Sequence, residues 1–228
     1  MIKACLFDLD GTLLDTITTI SYYANMALEK FGIEPIEKDK YNYFVGNGAK
    51  ILIERMLRER NVYTDDTFKK VYDFYVKSYD ADTTYLTEAY DGIIDMLTEL
   101  KNRGIKAGVI SNKPDYATRS VCAKKIDPSL LHTVRGQIEG IRIKPDTEGA
   151  LNVLKLMEAD PAQTMYIGDT GVDMQTGKNL GAYTVGVLWG FRKEDELRDN
   201  GADRIISHPK EIISVIDEIN VKQQNKKN

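Results

Sequence analysis

Apolar residues follow two rhythms along this chain. Near the start, Ala4-Cys5-Leu6-Phe7 is a short continuous apolar run, the pattern of a strand buried on both faces, and it predicts a strand over about 3–9. From Thr16 the spacing changes to three and four residues, through Ile20, Tyr23, Ala24, Ala27, Leu28 and Phe31, until Gly32 stops a first helix. The runs Ile51, Leu52, Met56, Leu57 and Phe68, Val71, Tyr72, Tyr75, Val76 repeat that spacing, so residues 16–84 read as a helical insert. From Tyr85 onward the two rhythms alternate. Helices are predicted over 92–102, 116–125, 148–157, 173–180 and 210–220, with strands over 105–110, 164–167 and 183–187. Alternating strands and helices build a parallel sheet with helices on both faces, giving a three-layer α/β core over 1–15 and 85–228. The polar stretch 221–228 has nothing to bury and is expected to fray as a flexible tail.

Composition narrows the class of protein. The 228 residues are 42% hydrophobic, enough for one large core and a smaller satellite. A net charge of -4 lacks the basic face of a nucleic-acid binder, so any anionic ligand must be held by local charge. The two cysteines, Cys5 in a strand and Cys122 in a helix, form neither a disulfide framework nor a metal-ligand spacing, which suits a reducing compartment. Only four apolar residues separate Lys3 from Asp8, too few for a signal peptide, and no apolar run approaches the roughly 18 residues that span a bilayer. A cytoplasmic protein with no membrane or nucleic-acid partner is expected; nothing in the sequence sets its oligomeric state.

Chemistry concentrates where apolar runs end. Asp8-Leu9-Asp10-Gly11-Thr12 places two carboxylates directly after the first strand. On a regular strand they would share a face, and like charges about 4 Å apart repel by roughly 4 kcal/mol at an effective dielectric of about 20. The pair therefore asks for a metal ion, a shared proton, or a twist at Gly11 that turns one carboxylate away. Alone, such a segment is also an ordinary turn. Three further runs end alike: Val109-Ile110 in Ser111-Asn112-Lys113, Ile141-Arg142-Ile143 in Lys144-Pro145, and Met165-Tyr166-Ile167 in Gly168-Asp169, followed by Asp173. The carboxyl ends of strands are where an open α/β sheet holds its ligand. Singly, Lys144 would pass for a solvated turn residue and Asp173 for a helix cap.

Together, and in this order, these four segments resemble the motifs of the haloacid dehalogenase superfamily. The resemblance implies a Rossmann-like core with an inserted α-helical cap, and it implies roles. Asp8 would be the nucleophile that forms an aspartyl phosphate. Asp10 would be the general acid and base, its backbone carbonyl also binding a metal. Ser111 and the Asn112 amide would hold phosphoryl oxygens, and Lys144 would neutralise charge on the transferring group. Asp8, Asp10, Asp169 and Asp173 would hold the metal; Mg²⁺ suits such an all-oxygen site. Thr147 stands where related sequences often carry a second proline after Lys144-Pro145-Asp146.

The stretches Phe44 to Lys50 and Trp189-Gly190-Phe191-Arg192 further resemble the phosphoglycolate phosphatase branch. That implies a Mg²⁺-dependent phosphomonoester hydrolase acting on 2-phosphoglycolate or a similar small phosphorylated metabolite. The insert would close as a lid hinged near Asp15, Thr16 and Tyr85, excluding water from the intermediate. Gly46-Asn47-Gly48 reads equally as a plain turn or a substrate contact, and Lys50 is the nearest cation for a substrate carboxylate. Ten of the thirteen tyrosines lie in residues 1–90, most simply packing the lid helices.

Other chemistries fit less well. The two histidines, His132 and His208, form no metal pair, and no GxSxG elbow or Walker A loop is present. Asp10 argues against dehalogenation, which has no leaving alkoxide to protonate. A pyrophosphatase or sugar-phosphate mutase on the same scaffold is the closest enzymatic alternative. A catalytically idle phosphometabolite-binding module is the non-enzymatic one, though every candidate acid is present.

Overall fold

The computed structural model describes residues 1–225. Its main sheet has six parallel strands, β1 (Ala4–Phe7), β4 (Lys106–Pro114), β5 (Thr133–Gln137), β6 (Thr164–Gly168), β7 (Tyr183–Val187) and β8 (Arg204–Ile206), in the order β5-β4-β1-β6-β7-β8. β1 is fully buried, which explains its unbroken apolar run. Its side chains alternate between two cores. Cys5, Phe7 and Leu9 face the layer of α5 (Ile93–Asn102), α6 (Asp115–Lys125) and α10 (Glu211–Asn225). Ala4 and Leu6 face the layer of α7 (Glu148–Leu156) and α8 (Gly171–Leu180). The remaining helix of this half is the short α9 (Glu194–Asp199). This is the three-layer, Rossmann-like α/β arrangement that the alternating pattern predicts.

Between β1 and α5 the chain leaves the sheet. A two-stranded antiparallel ribbon, β2 (Leu14–Asp15) with β3 (Glu88–Ala89), brackets α1 (Ile17–Lys30), α2 (Lys38–Phe44), α3 (Ala49–Glu59) and α4 (Asp65–Ala81). These helices bury a core of their own, built on Ile20, Tyr23, Leu28, Tyr41, Met56, Leu57, Val71 and Tyr75, which Phe191 of the sheet half joins. Tyrosines knit this unit through ring contacts of Tyr23 with Tyr22, Tyr79 and Tyr85. At the ribbon, the Thr19 hydroxyl bonds the Thr87 hydroxyl at 2.8 Å and the Tyr85 carbonyl.

Strands β5 and β8 and helix α9 are not among the predicted elements, and several boundaries differ from expectation. The strand predicted over 105–110 continues to Pro114, because its register with β5 shifts between Ile110 and Pro114 and the chain stays extended beyond the apolar run. The last helix continues through Asn225, so residues 221–225 of the predicted tail are helical; 226–228 lie outside the described residues. Both cysteines are buried and unpaired. No described helix is long and apolar enough to cross a membrane.

Candidate active site

The three central strands deliver their polar ends to one place. Phe7 is level with Val109 of β4 on one side and Ile167 of β6 on the other, so Asp8, Ser111 and Asp169 emerge together at the carboxyl edge. The Asp8 amide still continues the ladder, donating to the Ile167 carbonyl at 2.9 Å. Lys144 arrives from the segment before α7, and Asn112 pins it there. The Asn112 side chain accepts from the Lys144 amide at 2.9 Å and donates to the Lys144 carbonyl at 3.3 Å and to the Gly46 carbonyl at 2.9 Å. That clamp on both the lysine and the helical insert was not legible in the sequence.

Lys144 is buried, not a solvated turn residue. Its Nζ lies 2.8 Å from Asp8 Oδ1 and 2.7 Å from Asp173 Oδ1. Asp173 is engaged twice: its other oxygen accepts from the Thr170 hydroxyl at 2.6 Å and amide at 3.1 Å. Thr170 is the N-cap of α8 and Asp173 completes the capping box from the third position, because the helix begins at Gly171 and not at Asp173. Asp169 is held by the Thr12 hydroxyl and the Phe191 amide, both at 2.9 Å. Thr12, quoted only as part of the first segment, thus positions an acid on the far side of the site.

Asp8, Asp169 and Asp173 each offer an oxygen, all within 4.8 Å of one another, and all three residues are buried. Burial first, then the Asp173 charge, pushes Asp8 up from its ordinary 3.8 to about 7, although Lys144 pulls the other way. Burial and the same neighbours hold Asp169 well above the usual carboxylate range. Lys144 is raised as well, for a different reason: burial pulls it down, but Asp173 and Asp8 outweigh burial and hold it protonated. Asp8 Oδ1 has that ion pair but accepts no hydrogen bond. A buried, under-satisfied carboxylate oxygen beside two more acids is a donor set that a hard divalent cation fits.

The Asp10 carboxylate is elsewhere. Gly11 adopts φ +86°, and Asp10 turns to Lys113, with oxygens 3.0 and 3.3 Å from its Nζ. Of the four acids grouped as metal ligands, Asp10 is therefore the one whose side chain lies outside the cluster; the metal contact that the family resemblance implies for it is through its backbone carbonyl. Lys113 is a residue the sequence reading passed over. The sole signal was a lysine directly behind Ser111-Asn112 at a strand end.

One cavity of about 70 Å³ takes in Asp8, Asp10, Ser111, Asn112 and Lys113 from the sheet half, with Gly46, Gly48, Leu52, Tyr75 and Tyr79 from the insert. Asn47 instead accepts from Arg55 at 2.9 Å. Lys50 is exposed and does not line this cavity; as the second residue of α3 its chain leaves toward solvent. The cation facing the cleft beside Lys144 is Lys113.

Close packing around Asp169 leaves no room at Gly190, where an added Cβ would lie 2.3 Å from the Asp169 Cβ and 2.4 Å from the Gly11 carbonyl. Gly190→Ala is expected to cost about 1–3 kcal/mol, lowering the melting temperature by several degrees. A thermal melt matching the wild type would refute this fit.

The geometry agrees with what comparison of the chain finds. The phosphoglycolate phosphatase of Aquifex aeolicus is 28% identical over 217 residues, covering 94% of this chain and 97% of that protein. The N-acetylmuramic acid 6-phosphate phosphatase of Pseudomonas aeruginosa is 29% identical over 223 residues, covering 95% of each. A crystal structure from Lactobacillus delbrueckii, provisionally named a phosphoglycolate phosphatase, superposes with a TM-score of 0.89 at 26% identity, covering 94% of this chain and 98% of that one. The haloacid dehalogenase-like hydrolase family matches residues 5–187. A match running from β1 through the helical insert to the end of β7 makes this chain a member of that family.

Proposed function

We propose that the protein is a Mg²⁺-dependent phosphomonoester hydrolase that works through an aspartyl phosphate on Asp8, with 2-phosphoglycolate its best common substrate. The observation that carries this reading is Lys144 bridging Asp8 and Asp173 inside a buried acid cluster. A carboxylate so placed is desolvated, oriented and flanked by the charge needed to accept a phosphoryl group.

In the first half-reaction the Asp8 carboxylate forms a bond to phosphorus while the ester P–O bond breaks, and Asp10 protonates the departing alkoxide. In the second, Asp10 takes a proton from water, the water oxygen bonds to phosphorus, and the acyl phosphate bond breaks, returning Asp8 as a carboxylate. Ser111 and the Asn112 amide hold the phosphoryl oxygens, and Lys144 balances their charge throughout. Mg²⁺ would be held by Asp8, Asp169, Asp173 and the Asp10 carbonyl, and when bound it neutralises the acids and the phosphoryl group. Residues 16–84 form the cap, 1–15 and 85–228 the catalytic core, and Gly46 and Gly48 close over the cleft from the cap side.

Two features support a small carboxylate-bearing substrate. The cavity is small, and the two phosphatases named above take phosphomonoesters that both carry a carboxylate, phosphoglycolate and N-acetylmuramic acid 6-phosphate. Phosphoglycolate is the smaller of the two. Phosphate release over a panel of phosphomonoesters, pyrophosphate and sugar phosphates tests the assignment. 2-Phosphoglycolate is expected to lead in kcat/KM; a tenfold lead for pyrophosphate or a hexose phosphate would leave only the phosphatase class, and no release from any compound would favour an idle binding module.

A further inference from the structure

Lys113 is buried at the centre of the cleft, with 7% of its side chain exposed, and its ion-pair partner is Asp10. The face of the Tyr79 ring, from the helical insert, lies 4.7 Å from the same ammonium. The carboxylate that the cap brings to this cavity, Asp80, is already taken, accepting from the Tyr116 hydroxyl at 2.9 and 3.0 Å. A buried ammonium deprived of its carboxylate is costly, and a ring face replaces only part of that interaction. Both Asp10 oxygens are held by this ammonium, at 3.0 and 3.3 Å, so Asp10 must give up the pair to serve a leaving oxygen, which in an in-line displacement lies across phosphorus from Asp8. Turnover thus requires breaking an ion pair unless another anion takes its place.

Resting on the phosphatase reading above, we infer that Lys113 is the receptor for the substrate carboxylate, and that a carboxylate docking there displaces Asp10 and frees it for the leaving group. The exchange is one anion for another on a single ammonium, so no buried charge is left alone. A phosphomonoester without a carboxylate leaves Asp10 parked on Lys113 and is penalised in kcat as well as in KM. Selection of this kind acts on the transition state, beyond ground-state binding. Tyr79 carries the coupling to the cap: the ring stands over the ammonium in the closed arrangement seen here, so the receptor is complete when the insert is down.

Matched substrates isolate this role. 2-Phosphoglycolate differs from 2-hydroxyethyl phosphate, and 3-phosphoglycerate from glycerol 3-phosphate, by a carboxylate in place of a hydroxymethyl group. The wild type is expected to favour the carboxylate member of a pair by about 10- to 100-fold in kcat/KM, the worth of one charge-assisted contact. Lys113→Met is expected to erase that preference, the carboxylate member losing about 10- to 100-fold in kcat/KM relative to the hydroxyl member. Lys113→Arg, which keeps the charge, is expected to retain a preference. Should Lys113→Met fail to fold, Lys113→Gln carries the same expectation. Equal losses on both members of a pair would mean a packing role and overturn the inference. A wild type that prefers 3-phosphoglycerate to 2-phosphoglycolate sinks the substrate assignment while supporting the receptor. A wild type indifferent to the carboxylate overturns the receptor and leaves the phosphatase standing.

Discussion

Replacing Asp8 by asparagine is expected to abolish turnover, by at least about 10⁴-fold, while the protein remains folded. The amide is nearly isosteric with the carboxylate, but it cannot attack phosphorus, and no second nucleophile in the cluster can stand in. Asp169 is held on both oxygens by Thr12 and Phe191, and Asp173 by Lys144 and Thr170. Asp10→Asn is expected to do less, about 10²- to 10⁴-fold, because it removes proton transfer and leaves the nucleophile in place. Borohydride trapping during turnover should reduce the acyl phosphate to homoserine at position 8, with release of phosphate, and mass spectrometry should find that change on Asp8. Label on Asp169 or Asp173, or residual activity in Asp8→Asn matching that of Asp10→Asn, would reverse the assignment of roles.

Stripping divalent metal is the second large effect. In excess chelator activity is expected to fall below detection and to return with Mg²⁺, with Mn²⁺ partly effective and the larger Ca²⁺ inhibitory. The metal-free protein should also carry a pH signature. Asp8 is raised in the folded state to about 7 from 3.8, so between those values the folded protein holds more protons than the unfolded chain. That contribution to stability is fully present below about 4, declines as pH rises, and is gone above about 7. Asp169, raised by the same burial, adds to the slope in the same direction. Mg²⁺, which replaces protons as the partner of these acids, should therefore raise the melting temperature more at pH 8 than at pH 5. Asp8→Asn, lacking one of the crowded charges, should melt higher than the wild type in chelator at pH 8, by on the order of 5 °C, and lose that advantage near pH 4. A chelated enzyme that turns over fully, or a melt that ignores Mg²⁺ at pH 8, would remove the metal from the site.

Local pattern carried much of this protein. Apolar runs mark β1, β4 and β6 because strands buried on both faces have little polar side to show, and Asp8, Ser111 and Asp169 are conspicuous as the first charged or hydroxyl residues beyond such runs. The three- and four-residue spacing of Ile20, Tyr23, Ala24 and Leu28 was equally readable, since a helix buries one stripe whatever it packs against. Lys144 was readable only by its place in the order of motifs, because a lysine before a proline has no periodicity to give it away.

What the tertiary structure alone decided is who meets whom. Asp10 and Lys113 lie 103 residues apart, and nothing local says that a twist at Gly11 and a register shift at the end of β4 bring them within 3.0 Å. The same holds for the Asn112 clamp on Lys144 and for Thr12 and Phe191 on Asp169, pairs separated by a whole strand or more. Lys50 misled for the complementary reason: it is near the Gly46-Gly48 turn in sequence, yet its place on α3 points it to solvent while Lys113 faces the cleft. Side-chain periodicity and turn chemistry are set within a few residues and so can be read along the chain. Burial of a charge, and the partner that makes burial tolerable, depend on strands and loops brought together from across the fold.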